Sequence, residues 1–247
     1  MRNIEERFKR FCAHFPGAEN IDDLVVGLGC RDGSKRADYL FEDRTIICEV
    51  KTLSADTSTK LVKFMRRLGI DPDALSSGRH IVEDLFKSLQ DGDRLFRRAT
   101  DFAMTPVQDG LDDAAKQIRS TKELFSIPGA AGVLVILNGE MPIAGSPLIL
   151  RRLEQRLNKT EGDGQPYHRD VNIIVVINEA YAVGTPEGDK LVVNVCSNEY
   201  VPERTDAKVF AESLVNEWGS FNNLPTGKAS EEIREQVRAS RLFIEKK

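Results

Sequence analysis

The stretch RADYLFEDRTIICEVKTL, Arg36 to Leu53, holds two acids and a lysine whose spacing can make a site. Thr45 to Lys51 reads as a strand. Alternation then places Ile46, Cys48 and Val50 on one face and Ile47, Glu49 and Lys51 on the other. The strand begins apolar on both faces, which implies burial on both sides, and charge enters only at its end. RADYLF reads as a partner strand and the polar EDR as the turn between them. Whether the loop is Asp43-Arg44 or Glu42 to Thr45, the register is the same: Phe41 faces Ile46, Leu40 faces Ile47 and Asp38 faces Glu49. Directly opposed Cβ atoms stand about 5 Å apart. Two carboxylates that close repel, and one pKa rises unless a cation sits between them. Mg²⁺ suits such a pair, because it accepts one or two carboxylates and completes its shell with waters and substrate phosphate oxygens. Lys51 lies at the rim of the same face, within reach of a scissile phosphate or an attacking water. The competing explanation is a surface cross-strand pair with a compensating lysine.

Elements that could position this set are legible on both sides of it. Asn3 can cap a first helix whose Ile4, Phe8, Phe11, Cys12 and Phe15 share a face. DDLVVGLG, Asp22 to Gly29, reads as a short strand. From about 54 to 109 the pattern is helical and irregular, broken by Gly69, Pro72, Gly78 and Gly92. GLDDAAKQIRSTKELF, Gly110 to Phe125, reads as a helix with Leu111, Ala114, Ala115, Ile118 and Phe125 on one face. AGVLVILN (Ala131 to Asn138) and NIIVVIN (Asn172 to Asn178) are continuous apolar runs, as expected of buried central strands. PLILRRLEQRLN between them is helical, and LVVNV follows the TPEGDK turn as a further strand. Two helices are expected at the C-terminal end, around Ala207 to Trp218 and Ser230 to Glu245, within 206–247. The economical organisation is a single α/β domain over 1–247 with a helical insertion at about 54–109.

Composition narrows the function classes. Of 247 residues, 40% are hydrophobic and 30% charged, ordinary values for a soluble globular chain. The formal net charge of −4 argues against broad electrostatic coating of nucleic acid and leaves room for a local basic groove. No apolar run is long enough to span a membrane. MRNIEERFKRFCAHF lacks the features of a secretory signal, so no membrane association and a cytoplasmic location are expected. Cys12, Cys30, Cys48 and Cys196 are scattered, with no C-x-x-C pair, and His14, His80 and His168 form no ligand cluster; the histidines are expected on the surface or in loops. Gly27, Gly29 and Gly33 suggest a dinucleotide turn, but a strand and not a helix follows them, so a loop between strands is expected.

Asp-(x)10-Glu-Val-Lys across two antiparallel strands, after one helix and before another, resembles the PD-(D/E)xK nuclease superfamily. The resemblance implies a restriction-endonuclease-like core, a mixed central sheet flanked by helices, in the order helix, three strands, helix, strand. It implies that Asp38 and Glu49 bind the divalent metal, Mg²⁺ with Mn²⁺ as a substitute, together with the Val50 carbonyl, and that Lys51 assists catalysis. Ala37 stands where the motif's proline would be.

Relatives often add a glutamate from the first helix, which here is Glu5 at the flank of its apolar face. Many also carry a glutamine on the later helix, here Gln117, likewise bordering an apolar face. The insertion follows directly after Lys51 and should overhang the site, making Arg66, Arg67, Arg97 and Arg98 candidates for phosphate contacts. The expected activity is hydrolysis of phosphodiester bonds by an endonuclease, most readily in DNA and in a restriction or phage-defence setting. Its partner would be nucleic acid, with a homodimer compatible. The alternative is a catalytically silent nucleic-acid-binding module of the same fold.

Overall fold

The structure is a computed structural model that describes residues 3–26, 35–53, 57–71, 78–87, 89–141, 145–185, 188–238 and 243–246. In chain order its elements are α1 (Ile4–Cys12), β1 (Glu19–Asn20), α2 (Ile21–Val26), β2 (Tyr39–Phe41), β3 (Ile46–Thr52) and α3 (Thr57–Arg67). Then follow β4 (Gly78–Ile81), α4 (Val82–Phe86), α5 (Gly92–Ala103), α6 (Thr105–Leu124), β5 (Ala131–Asn138) and α7 (Ser146–Leu157). The chain continues through β6 (Ile173–Thr185), β7 (Gly188–Ser197), α8 (Thr205–Phe221), α9 (Glu231–Arg238) and β8 (Phe243–Lys246).

The architecture is α/β. A six-stranded mixed sheet runs in the order β1-β2-β3-β5-β6-β7, with β3, β5 and β6 parallel and the outer pairs antiparallel. Its middle is covered on both faces, and all eight residues of β5 are buried, as the uninterrupted run AGVLVILN requires. One face carries α1 and α8, where Phe8 and Phe11 each lie 5.4 Å from the Trp218 ring. The other carries residues of α2 to α7, with Leu111, Ala114, Ala115 and Ile118 of α6 at its centre.

The hairpin that carries the candidate site has the expected register: Phe41 pairs with Ile46 and Leu40 with Ile47. Its turn is unusual, because Glu42, Asp43 and Arg44 all take positive φ (50°, 51° and 67°) without a glycine among them. Left-handed backbone costs about 1–2 kcal/mol per residue. Local bonds offset this: the Thr45 N–H and hydroxyl both donate to the Glu42 carbonyl, at 3.0 and 2.8 Å, and Arg44 forks onto both oxygens of Glu19.

Several elements differ from the sequence expectation. Asp22 onward is not a strand; Ile21–Val26 is a helix, entered through Asn20, whose Oδ1 accepts from the Asp22 and Asp23 N–H groups. A short apolar run satisfies either periodicity, and the cap decides it. The glycines at 27, 29 and 33 lie outside the described residues. The helix expected from Gly110 begins at Thr105, so the insertion's boundary at 109 falls inside α6. The last expected helix stops at Arg238, and Phe243–Lys246 is instead a strand, paired antiparallel with β4 of the insertion. His168, expected on the surface or in a loop, sits in a turn but is fully buried. No helix of the described residues is long and apolar enough to cross a membrane.

Gly132 shows how closely the layers approach. A Cβ there would meet the Asp170 carbonyl oxygen at 2.0 Å and the Ile118 side chain at 2.9 Å, and the first contact is with backbone. Gly132→Ala is therefore expected to lower unfolding free energy by about 1–3 kcal/mol, seen as an earlier urea midpoint; an unchanged midpoint would show that β5 can slide away from residue 170.

Candidate active site

β2 and β3 bring the two acids together. The ladder between the strands ends at Tyr39–Cys48, and one step further the Asp38 N–H still donates to the Cys48 carbonyl at 3.2 Å. The Asp38 side chain then turns back onto β3, its Oδ2 accepting from the Val50 N–H at 2.8 Å. Within an extended strand the N–H and C=O of one residue leave the same edge. The Val50 carbonyl therefore emerges beside Asp38, where β2 has no residue left to pair with it.

Glu49 is 1% exposed. Its Oε1 lies 2.6 Å from the Lys51 ammonium, whereas its Oε2 is buried with no donor at hydrogen-bond distance among the described residues. What stands beside Glu49 is the Asp38 carboxyl, itself an acceptor when ionised. Burial first and the Asp38 charge second push the Glu49 pKa up to about 8, against the pull of Lys51. Asp38 is also raised, chiefly by burial, with the Val50 N–H opposing. The pair thus retains a proton near neutrality, and that titration belongs to both groups together. A buried acceptor lacking a donor, next to a second acid, is satisfied by a proton or by a cation.

Helix α6 completes the set. Lys51 Nζ donates to Gln117 Oε1 at 2.6 Å, and Gln117 Nε2 donates to the Arg36 carbonyl at 2.7 Å. Gly110, two turns earlier on α6, has no side chain where the Lys51 stem passes; a Cβ there would lie 3.6 Å from Lys51 Cβ and Cγ. Asp38, Glu49, Lys51 and Gln117 therefore form one cluster, with Val50 at its edge.

Glu5, expected as a further metal ligand, is placed differently. Its carboxylate takes Lys9 Nζ at 2.6 Å, which with a lesser influence of Thr52 holds its pKa low. Thr52 alternates with Val50 and Cys48 toward the α1 side of the sheet, whereas Glu49 and Lys51 point to the α6 side. Among the described residues no group of three or more acid, histidine or cysteine side chains converges as a metal site. Arg66 and Arg67 end α3, and Arg97 and Arg98 are exposed on α5; none shares a described hydrogen bond or ion pair with the cluster.

The residues that sequence reasoning passes over are cations nearer the acids. Lys9 on α1 feels the Asp38 charge, and Lys35 and Lys116 both bridge to Asp113, whose carboxylate is held low partly by them and by Lys51. Lys116 precedes Gln117, and that adjacency is the available signal. A groove of about 1100 Å³ lies elsewhere, between α7, α8, α9 and β7 at the opposite edge of the sheet. His168 and Arg156 both bind Asp112, a lock between α6, α7 and the chain before β6.

The Glu49 shift gives a signed stability effect. Between its ordinary value of 4.5 and about 8 the folded form holds a proton that the unfolded chain has released, so stability is full below the first value and is lost as pH rises through the second. Each unit of difference is worth at most about 1.4 kcal/mol. With EDTA present, the thermal midpoint is expected to fall as pH rises across this window, less steeply in Glu49→Gln; an equal slope in both proteins would place the titration elsewhere.

No family model matches this chain, and no curated protein or solved structure matches it.

Proposed function

We propose that this chain is a divalent-metal-dependent nuclease of the PD-(D/E)xK kind, acting on a phosphodiester backbone with DNA the favoured substrate. The observation that carries the reading is the buried Asp38–Glu49 pair, in which the Glu49 Oε2 lacks a donor, with Lys51 fixed beside it. The element order supports it: a helix, a short strand, the β2–β3 hairpin, then α6 and the parallel strand β5. Ala37 in place of the motif's proline removes no oxygen donor, so the ligand set is intact despite that departure.

The residues fit a bound Mg²⁺ or Mn²⁺, since Asp38, Glu49 and the Val50 carbonyl offer hard oxygen donors and the buried Glu49 Oε2 has no hydrogen-bond donor among the described residues. When bound, such an ion supplies Lewis-acid activation of a water and of the phosphoryl oxygen. Lys51 has three donor protons, of which Glu49 Oε1 and Gln117 Oε1 take two. The third is available to the phosphoryl oxygen on which negative charge develops. Gln117 acts through Lys51, holding the ammonium toward the acids. Water attack on phosphorus with departure of the 3′ oxygen leaves 5′-phosphate and 3′-hydroxyl ends, as the resemblance implies. The site lies where β2 ends beside β3, with the Lys51 side chain partly exposed.

The test is incubation with single- and double-stranded DNA and RNA in Mg²⁺, Mn²⁺ or EDTA. Cleavage is expected with either metal and not with EDTA, falling by about 100-fold or more in Lys51→Ala and in Asp38→Ala while the circular dichroism spectrum is kept. Equal cleavage by Lys51→Ala would remove the site assignment. Binding without cleavage under every metal would favour the catalytically silent module. For the insertion, replacing Arg66 and Arg67 together by alanine should reduce the salt dependence of binding by a slope of roughly 1–2; an unchanged slope excludes them from the phosphate contacts.

A further inference from the structure

Asp38 precedes β2, so the sheet ladder does not fix the two residues before it. What holds that segment is α6. Thr121, fully buried, accepts from the Ala37 N–H at 2.8 Å and donates its own hydroxyl proton to the Gln117 carbonyl at 2.8 Å. Gln117 Nε2 grips the preceding carbonyl, that of Arg36. Two side chains one helical turn apart therefore clamp both polar groups of the Arg36–Ala37 peptide unit. Threonine is an indifferent helix residue, and its buried hydroxyl in the last turn of α6 adds nothing to apolar packing. Its donor is already committed to the turn below, so its lone pair is aimed at Ala37. The Ala37 residue is itself 2% exposed, leaving its N–H no access to water if the hydroxyl is lost.

We propose that Thr121 is a positioning residue for the Asp38 carboxylate: through Ala37 it fixes where that ligand stands beside Glu49, without touching the reacting atoms. The assignment rests on the reading that Asp38 and Glu49 hold a divalent cation. Supporting partners of metal ligands typically change affinity by about 10–100-fold when removed. Thr121→Val keeps the shape and removes the hydroxyl; Thr121→Ser keeps the hydroxyl.

The experiment is Mn²⁺ binding to the full chain without substrate, followed by calorimetry and by the electron paramagnetic resonance of free Mn²⁺. Thr121→Val is expected to bind about 10-fold more weakly, Thr121→Ser like the wild type, and Ile118→Val, a core change on the same helix, also like the wild type. If Thr121→Val does not fold, Thr121→Cys replaces it, since a thiol is a poor acceptor of similar size. In the metal-free protein the Ala37 amide should also exchange faster in Thr121→Val than in Thr121→Ser. Wild-type affinity in the hydroxyl-free variant, or equal weakening in Thr121→Ser or in Ile118→Val, overturns the assignment while weakened binding by Asp38→Asn keeps the metal reading. Identical binding by the wild type and Asp38→Asn removes both.

Discussion

Two carboxyls taken out of water side by side are an electrostatic liability, and the rest of this structure either creates or contains it. The β2–β3 register sets Asp38 against Glu49, and the covered sheet removes solvent from Glu49. A solvated surface could dissipate such repulsion; a buried oxygen without a donor needs a proton or a cation. Lys51 relieves one oxygen only, because its ammonium reaches Oε1 and is shared with Gln117. The local conflict persists because its surroundings fix it.

Rigidity around the pair has a traceable origin. The Glu42–Arg44 turn holds one end of the hairpin, with Arg44 tied to Glu19. Helix α6 holds the other through Gln117 and Thr121, and is itself pinned on its outer side by Asp112 to Arg156 and His168, and by Arg119 and Lys122 to Asp170. These charges are partly buried and mutually paired, so they fix the helix's position more than they add net stability. The helix then serves as the common reference for the lysine and for the segment leading into Asp38.

The parts legible in the sequence are those decided locally. A turn with two admissible lengths and one register yields the Phe41–Ile46 pairing, and an unbroken apolar run yields β5. Gln117 is reached from helix periodicity together with a family resemblance. What escapes a reading of the chain is decided by partners outside the pattern. Leu24 and Val25 suit either a strand or a helix, and the Asn20 side chain settles it. Glu5 at a helix flank is ambiguous until α1 is placed on the opposite face of the sheet. Thr121 carries no signal, because its meaning lies in an amide more than eighty positions upstream. His168 looks unattached until Asp112 is set against it.

The pairing of β4 with β8 carries a further consequence. β4 belongs to the segment between Lys51 and α6, and its partner strand is Phe243–Lys246, so β5, β6 and β7 all lie in the chain between the two halves of this small ribbon. Closing so long a loop is entropically slow and contributes little locally. The central sheet, with its acid pair, can therefore consolidate first from nearer neighbours, and the ribbon is the natural last piece to lock. The insertion's final shape is then under the control of the opposite extremity of the described chain.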